Sequence, residues 1–334
     1  MPHAFHLLRG PLAAILAACA LLIPVATFAQ ETCTLTTLTV EQAREIAASK
    51  PKLSYELYGT FVSFDGLTTL SPEVAEVLIT IKHPLSFNGL TDLSPETAAA
   101  LAKQTRLPHS GAIEGKTGHA DLRLNGITRL SPAAAEALAA HQGKLLLHSL
   151  ETLDSLPLAQ KFAREPGELR LGLTMLSPAI AAELAKNRGE NISRFASILR
   201  LDNIERLSPE AAEALAAHEG VLVLNGLTTL EPAVAAALAE RVGNRQHGST
   251  GTLILNGLTL ISAESATALA KFPGELVLKG ITDLTPEAAA ALAAHKGRLH
   301  LTGLTTLGES TRATLQAHAN ILLPRPLPAA QAPR

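Results

Sequence analysis

Three stretches carry residue types that can do chemistry, and each falls short of the arrangement that chemistry requires. Gly111-Ala112-Ile113-Glu114-Gly115-Lys116-Thr117 sets Gly-Lys-Thr after an earlier glycine, as a phosphate-cradling loop does. Its spacing is one residue short, no apolar strand precedes it and no helix follows. His247-Gly248-Ser249-Thr250-Gly251 places a serine between glycines, near the pattern of a nucleophile elbow, but His stands where the first Gly belongs and no strand-to-helix turn surrounds Ser249. His141, His218 and His295 recur at equivalent places. Each falls in the last helical turn of a separate unit, where an imidazole complements exposed carbonyls, whereas a metal site needs two or more converging ligands. Cys33 has no basic or His-bearing neighbours in sequence that would activate it as a thiolate. No paired carboxylates and no Ser/His/Asp set stand out. The expectation is a protein that is not an enzyme and holds no metal and no cofactor; a hydrolase built on a repeat scaffold is the weakest alternative.

Binding chemistry is better represented. One outward residue per predicted strand forms a column: Ser63, Ser86, Arg123, Leu146, Arg170, Arg200, Val223, Ile254, Val277 and His300. Its centre is basic and its later part apolar. Arg123, Arg170, Arg200, Val223, Ile254, Val277 and His300 are the candidate ligand-binding residues of this face. Arg170 and Arg200 fall on adjacent strands, so unpaired they repel and invite an anionic partner, unless Asp121, Glu168 and Asp202 neutralise them. Val223, Ile254 and Val277 make an apolar stripe of the kind that marks a contact surface, unless inserted loops or the tail fold over it. Tyr55, Tyr58 and Phe61 form a second candidate patch near the N-terminus; they serve either as recognition aromatics or as a cap over the first layer.

The elements that position these residues come from a repeat of 23 residues, of the form Leu-x-Leu-Asn-Gly-Leu-Thr-x-Leu-Ser-Pro-Glu-Ala-Ala-x-x-Leu-Ala. Eleven units begin at Leu35, Leu67, Leu90, Ile127, Leu150, Leu173, Ile204, Leu227, Leu258, Ile281 and Leu304. Alternating runs such as Leu122-Arg123-Leu124 and Leu222-Val223-Leu224 predict one strand per unit. Asn-Gly at Asn88, Asn125, Asn225 and Asn256 is expected to supply a positive φ out of the strand. Ser-Pro-Glu, as at Ser71 and Ser208, predicts a capped helix start, and Gly143, Gly220 and Gly297 predict left-handed helix ends. Four insertions fall between a helix end and the next strand, near 50–60, 103–120, 187–198 and 241–252, and so project from one edge as further binding candidates.

A unit this small cannot bury its own apolar face, so units must stack. Hydrophobic residues make up 47% of the chain and aromatics only 3%, which calls for a thin Leu/Ala core. The Leu-x-Leu strand, polar turn and following helix resemble the leucine-rich repeat family, in particular short-repeat bacterial members, over residues 33–323. That resemblance implies a right-handed β/α solenoid, a horseshoe with a parallel concave sheet and short convex helices. The chain departs from the family's pattern because Asn follows the strand Leu directly. Thr at positions such as Thr68, Thr174, Thr228 and Thr305 is then expected to build the cross-unit ladder.

Residues 1–29 read as an export signal, with Arg9, an apolar run over 12–26 and small residues before Gln30. Leu16-Ala17-Ala18-Cys19 keeps open a lipoprotein anchor through Cys19. Cleavage after Ala29 removes Arg9 and takes the formal charge from −2 to −3, which does not favour nucleic acid. The mature chain is expected to lack a transmembrane span, to fold as one repeat domain over 30–323 and to end in a disordered Pro-rich tail over 324–334. The expected role is a secreted or periplasmic binding module for a protein or extended ligand; the alternative is a structural envelope protein that self-associates.

Overall fold

The computed structural model describes residues 35–48, 61–105, 120–165, 167–187, 197–241, 251–325 and the backbone of 330–331. The export segment, Cys33, the phosphate-loop-like stretch, the elbow-like stretch except Gly251, most of the four insertions, Tyr55 and Tyr58 lie outside them.

The chain is α/β, with parallel strands alternating with short helices in a stacked repeat. Strands β1 (Val62–Ser63), β2 (Leu85–Ser86), β3 (Leu122–Arg123) and β4 (Leu145–Leu146) pair in chain order as one parallel sheet. β5 (Glu168–Arg170), β6 (Ile198–Arg200), β7 (Val221–Val223), β8 (Thr252–Ile254), β9 (Glu275–Val277) and β10 (Leu299–His300) form a second, with β12 (Ile321–Leu322) on its edge. Leu307–Gly308, β11, pairs instead with β13 (Ala330–Gln331). Ala330 and Gln331 thus meet the chain at the backbone edge of β11. Among the described residues no helix is long and apolar enough to cross a membrane.

Register shows why the repeat stacks. Leu169, Leu199, Leu222, Leu253, Leu276 and Leu299 lie directly opposite one another across consecutive strands, and all are buried. They pack on helix leucines such as Leu138, Leu184, Leu215, Leu238 and Leu292, each fully buried, with Ala keeping the helices close to the sheet. The helices are α1 (Val40–Ala48), α2 (Pro72–Leu78), α3 (Pro95–Ala102), α4 (Pro132–Ala139), α5 (Leu156–Arg164), α6 (Pro178–Leu184), α7 (Pro209–Ala216), α8 (Pro232–Ala239), α9 (Ala263–Leu269), α10 (Pro286–Ala293) and α11 (Glu309–Gln316). Ser or Thr caps most of them by accepting an amide two or three residues into the helix, as Ser71 does from Val74 and Ser208 from Ala211. Glu231 before α8 and Gly308 before α11 make no such bond.

Two expectations about glycine are corrected. Positive φ occurs at Lys82, Gly167 and Gly251, not in the Asn-Gly turns and not at Gly143, Gly220 or Gly297. The glycines are needed because neighbouring units approach closely: a Cβ on Gly126 would lie 2.5 Å from the Leu90 carbonyl oxygen and nearer still to that of Asn88. At Gly143 and Gly297 the obstacles are a carbonyl of the preceding unit and the chain's own His141 or His295 ring, 2.9 Å from such a Cβ.

The cross-unit ladder is also made differently. Asn side chains carry it from the position after the strand Leu: Asn225 Nδ2 donates to Asp202 Oδ1 at 2.8 Å, and its Oδ1 accepts the Asn256 N–H at 3.0 Å. Asn88, Asn125 and Asn256 accept in the same way from Asn125, His148 and Lys279. Thr hydroxyls donate to the preceding unit's carbonyl at Thr68, Thr174 and Thr305, whereas Thr228 makes no such bond.

Candidate binding face

The strand face is not uniformly basic, because its cations differ in whether an acid holds them. Arg200 is neutralised: Nε lies 2.9 Å from Glu168 Oε1 and an Nη lies 3.4 Å from Asp202 Oδ2. The Glu168 hydrogen bond, followed by the charge of Asp202, raises its pKa. His300 meets Glu275 Oε1 at 2.8 Å, and Arg298 lies 3.8 Å from the same oxygen. Of the three acids expected to neutralise the centre, Asp121 does something else: its Oδ1 accepts the Lys144 backbone N–H at 3.1 Å.

Arg170, opposite Arg200 in register and exposed, has no ion pair among the described residues. Arg123 lies in register with Leu146 on β4 and stacks its guanidinium 4.0 Å from the centroid of the Phe61 ring. Phe61 thus joins the basic centre as a cation–π platform, and among the described residues Arg123 has no carboxylate partner. Lys144, just before β4, reaches toward β5 and donates to the Glu168 carbonyl at 3.5 Å. His148, just after β4, completes the group. Its pKa is lowered, first by burial and then by the positive charges of Arg170, Arg123 and Lys144, with Glu168 opposing weakly. Those three cations therefore act together on one half-buried imidazole. Lys144 and His148 were missed by a reading that followed only the central column; the signal was His148 standing where most units carry Asn or Asp.

The apolar stripe is corrected. Val223 is 1% exposed and Val277 is 7% exposed, so only Ile254 is partly open. Each valine lies in register between longer side chains, Val223 between Arg200 and Ile254 and Val277 between Ile254 and His300. The shorter β-branched side chain is shielded by its neighbours.

Beneath the helix ends runs a buried polar row that sequence reading caught only at its histidines. Gln104, His141, Glu165, Asn187, His218, Arg241 and His295 each follow a core residue by three positions and are buried. Their side chains tie units together. Arg241 donates to the carbonyls of His218 at 3.1 Å, Gly220 at 2.8 Å and Thr252 at 3.1 Å. Asn320 repeats the pattern on His295 and Gly297, and Lys161 bonds Gly143 at 2.7 Å. Burial lowers the pKa of Arg241 to about 10, and burial followed by the Arg241 charge lowers that of His218 to about 4. Arg241, Asn187 and Asn320 donate to backbone carbonyls of neighbouring units, and Glu165 accepts the Leu145 N–H. Among the described residues no three His, Cys, Asp or Glu side chains are grouped to hold a metal ion.

Compared with family models and with curated proteins, the chain matches none.

Proposed function

We propose that the chain is an exported, non-enzymatic binding module: a right-handed β/α horseshoe of the leucine-rich repeat type, with its sheet on the concave side, holding an acidic protein or extended ligand at its basic centre. The observation that carries this reading is the contrast between Arg200, which two acids neutralise, and Arg170, which has no ion pair beside Arg123, Lys144 and His148. Cations left without counter-ions on an outward sheet face favour an anionic partner and steer its approach.

The test is affinity capture from envelope and medium fractions with residues 30–334 as bait. Lys144→Glu with Arg170→Glu is expected to abolish capture of an acidic partner, while Arg200→Gln, which removes an already neutralised charge, retains it. Capture unaltered by the double reversal rejects the basic centre.

Self-association is a second reading, favoured by the open edge of β12, where Leu322 is 39% exposed. A mass that rises with concentration in light scattering, and falls in Leu322→Lys, supports it; a constant monomer mass rejects it.

A further inference from the structure

The basic centre coincides with a break in the sheet. From β3 to β4, the Leu122 and Leu124 N–H groups donate to the carbonyls of Lys144 at 2.8 Å and Leu146 at 2.9 Å. The corresponding bonds from Leu145 to Glu168 and from Leu147 to Arg170 are missing, and β4 and β5 belong to separate sheets. In place of the first, the Leu145 N–H donates to the side chain of Glu165 at 3.0 Å, and Lys161 holds that carboxylate at 2.6 Å. The units stay in contact elsewhere: the Thr174 N–H donates to the Glu151 carbonyl at 3.1 Å, and a Cβ on Gly172 would lie 2.7 Å from the His148 carbonyl oxygen. The seam is therefore local to the strands.

Donors of a parallel strand alternate sides. The Leu171 N–H donates forward to Arg200, so the Arg170 N–H points back toward β4, with which β5 forms no ladder. The cations divide across the same line, with Arg123, Lys144 and His148 on the β4 side and Arg170 on the β5 side. Arg170 thus presents a guanidinium and a backbone donor at one place on the edge that faces β4.

Resting on the binding role proposed above, we infer that the seam between β4 and β5 seats a carboxylate of an acidic peptide, which accepts from the Arg170 backbone N–H and side chain and from Lys144. The carboxylate oxygens then bridge the two sheets. Binding and sheet continuity are then coupled: an occupied seam ties β1–β4 to β5–β10 and β12. Among the described residues, the nearby acids are engaged elsewhere: Glu168 holds Arg200, Asp121 holds the Lys144 N–H and Glu165 is committed to Leu145 and Lys161.

The experiment titrates a hexaglutamate peptide into residues 30–334 at low salt, following affinity and NMR-detected exchange of individual amides. The expected result is binding that weakens at least tenfold in Lys144→Gln and in Arg170→Gln, with exchange of the Arg170 amide slowed at least tenfold on saturation. Charge-sensitive binding with unchanged exchange at Arg170 overturns the seam site and leaves the basic-face reading standing. No binding, or binding indifferent to both variants, overturns the basic-face reading and the seam with it. The same protection produced by inorganic phosphate alone, with none from the peptide, overturns the peptide assignment in favour of a free oxyanion.

Discussion

His218 shows how an interior built for one charge state fixes a pH limit. The unfolded chain takes up a proton on this residue near 6.5, whereas the folded chain resists until about 4 because the site is buried and faces the Arg241 cation. Stability is complete above about 6.5 and declines as pH falls toward about 4, by roughly 3 kcal/mol from this residue. His295 is shifted in the same direction by burial. Urea midpoints measured across that range are expected to fall less steeply in His218→Asn than in the wild type; equal slopes contradict the assignment. Glycine acts at the same scale through crowding. Gly126→Ala is expected to cost about 1–3 kcal/mol, because its Cβ meets backbone that has no room to yield, and a calorimetric melting temperature checks it.

At the scale of elements, the cross-unit bonds decide which polar side chains matter. Asn225 spans three consecutive units, so Asn225→Ala is expected to lose about 1–3 kcal/mol, whereas Thr228→Val leaves the melting temperature unchanged. The repeat spelled out the strands, the Ser caps and the leucine columns, because those depend on local periodicity and on contacts repeated in every unit. The seam was hidden because the interval between Leu150 and Leu173 keeps its 23 residues. What changes there is a cap: Ser131 follows Ile127 by four residues, but Ser155 follows Leu150 by five. The shift delivers Glu165, instead of a His, to the buried row, and its carboxylate replaces a strand carbonyl. Burial, the leading influence, raises the pKa of Glu165, and the nearby Lys161 charge and hydrogen bond oppose that rise.

For the whole molecule, stacking without β4–β5 ladder bonds implies two cooperative blocks joined by helix packing and turn contacts. Native-state hydrogen exchange in low urea is expected to release Leu122 and Leu124 together and Leu222 and Leu276 together, with different opening free energies. One shared value across all four amides contradicts the division. The proposed binding site was legible as a basic column, but its composition was not. Sequence named Arg200, which Glu168 and Asp202 neutralise, and passed over Lys144 and His148, which only the register brings beside Arg123 and Arg170. Side-chain reach across strands is not encoded in periodicity.

The central claim is that a Leu/Ala core shared between units presents a set of uncompensated cations on the strand face, separable from the fold. The most direct measurement is the affinity of the Arg123→Gln, Arg170→Gln double variant for an acidic peptide as salt is raised, beside its melting temperature. The account predicts a wild-type affinity that falls steeply with salt, a variant that no longer binds, and melting temperatures that coincide. A variant that binds as tightly as the wild type, with the same salt dependence, contradicts it.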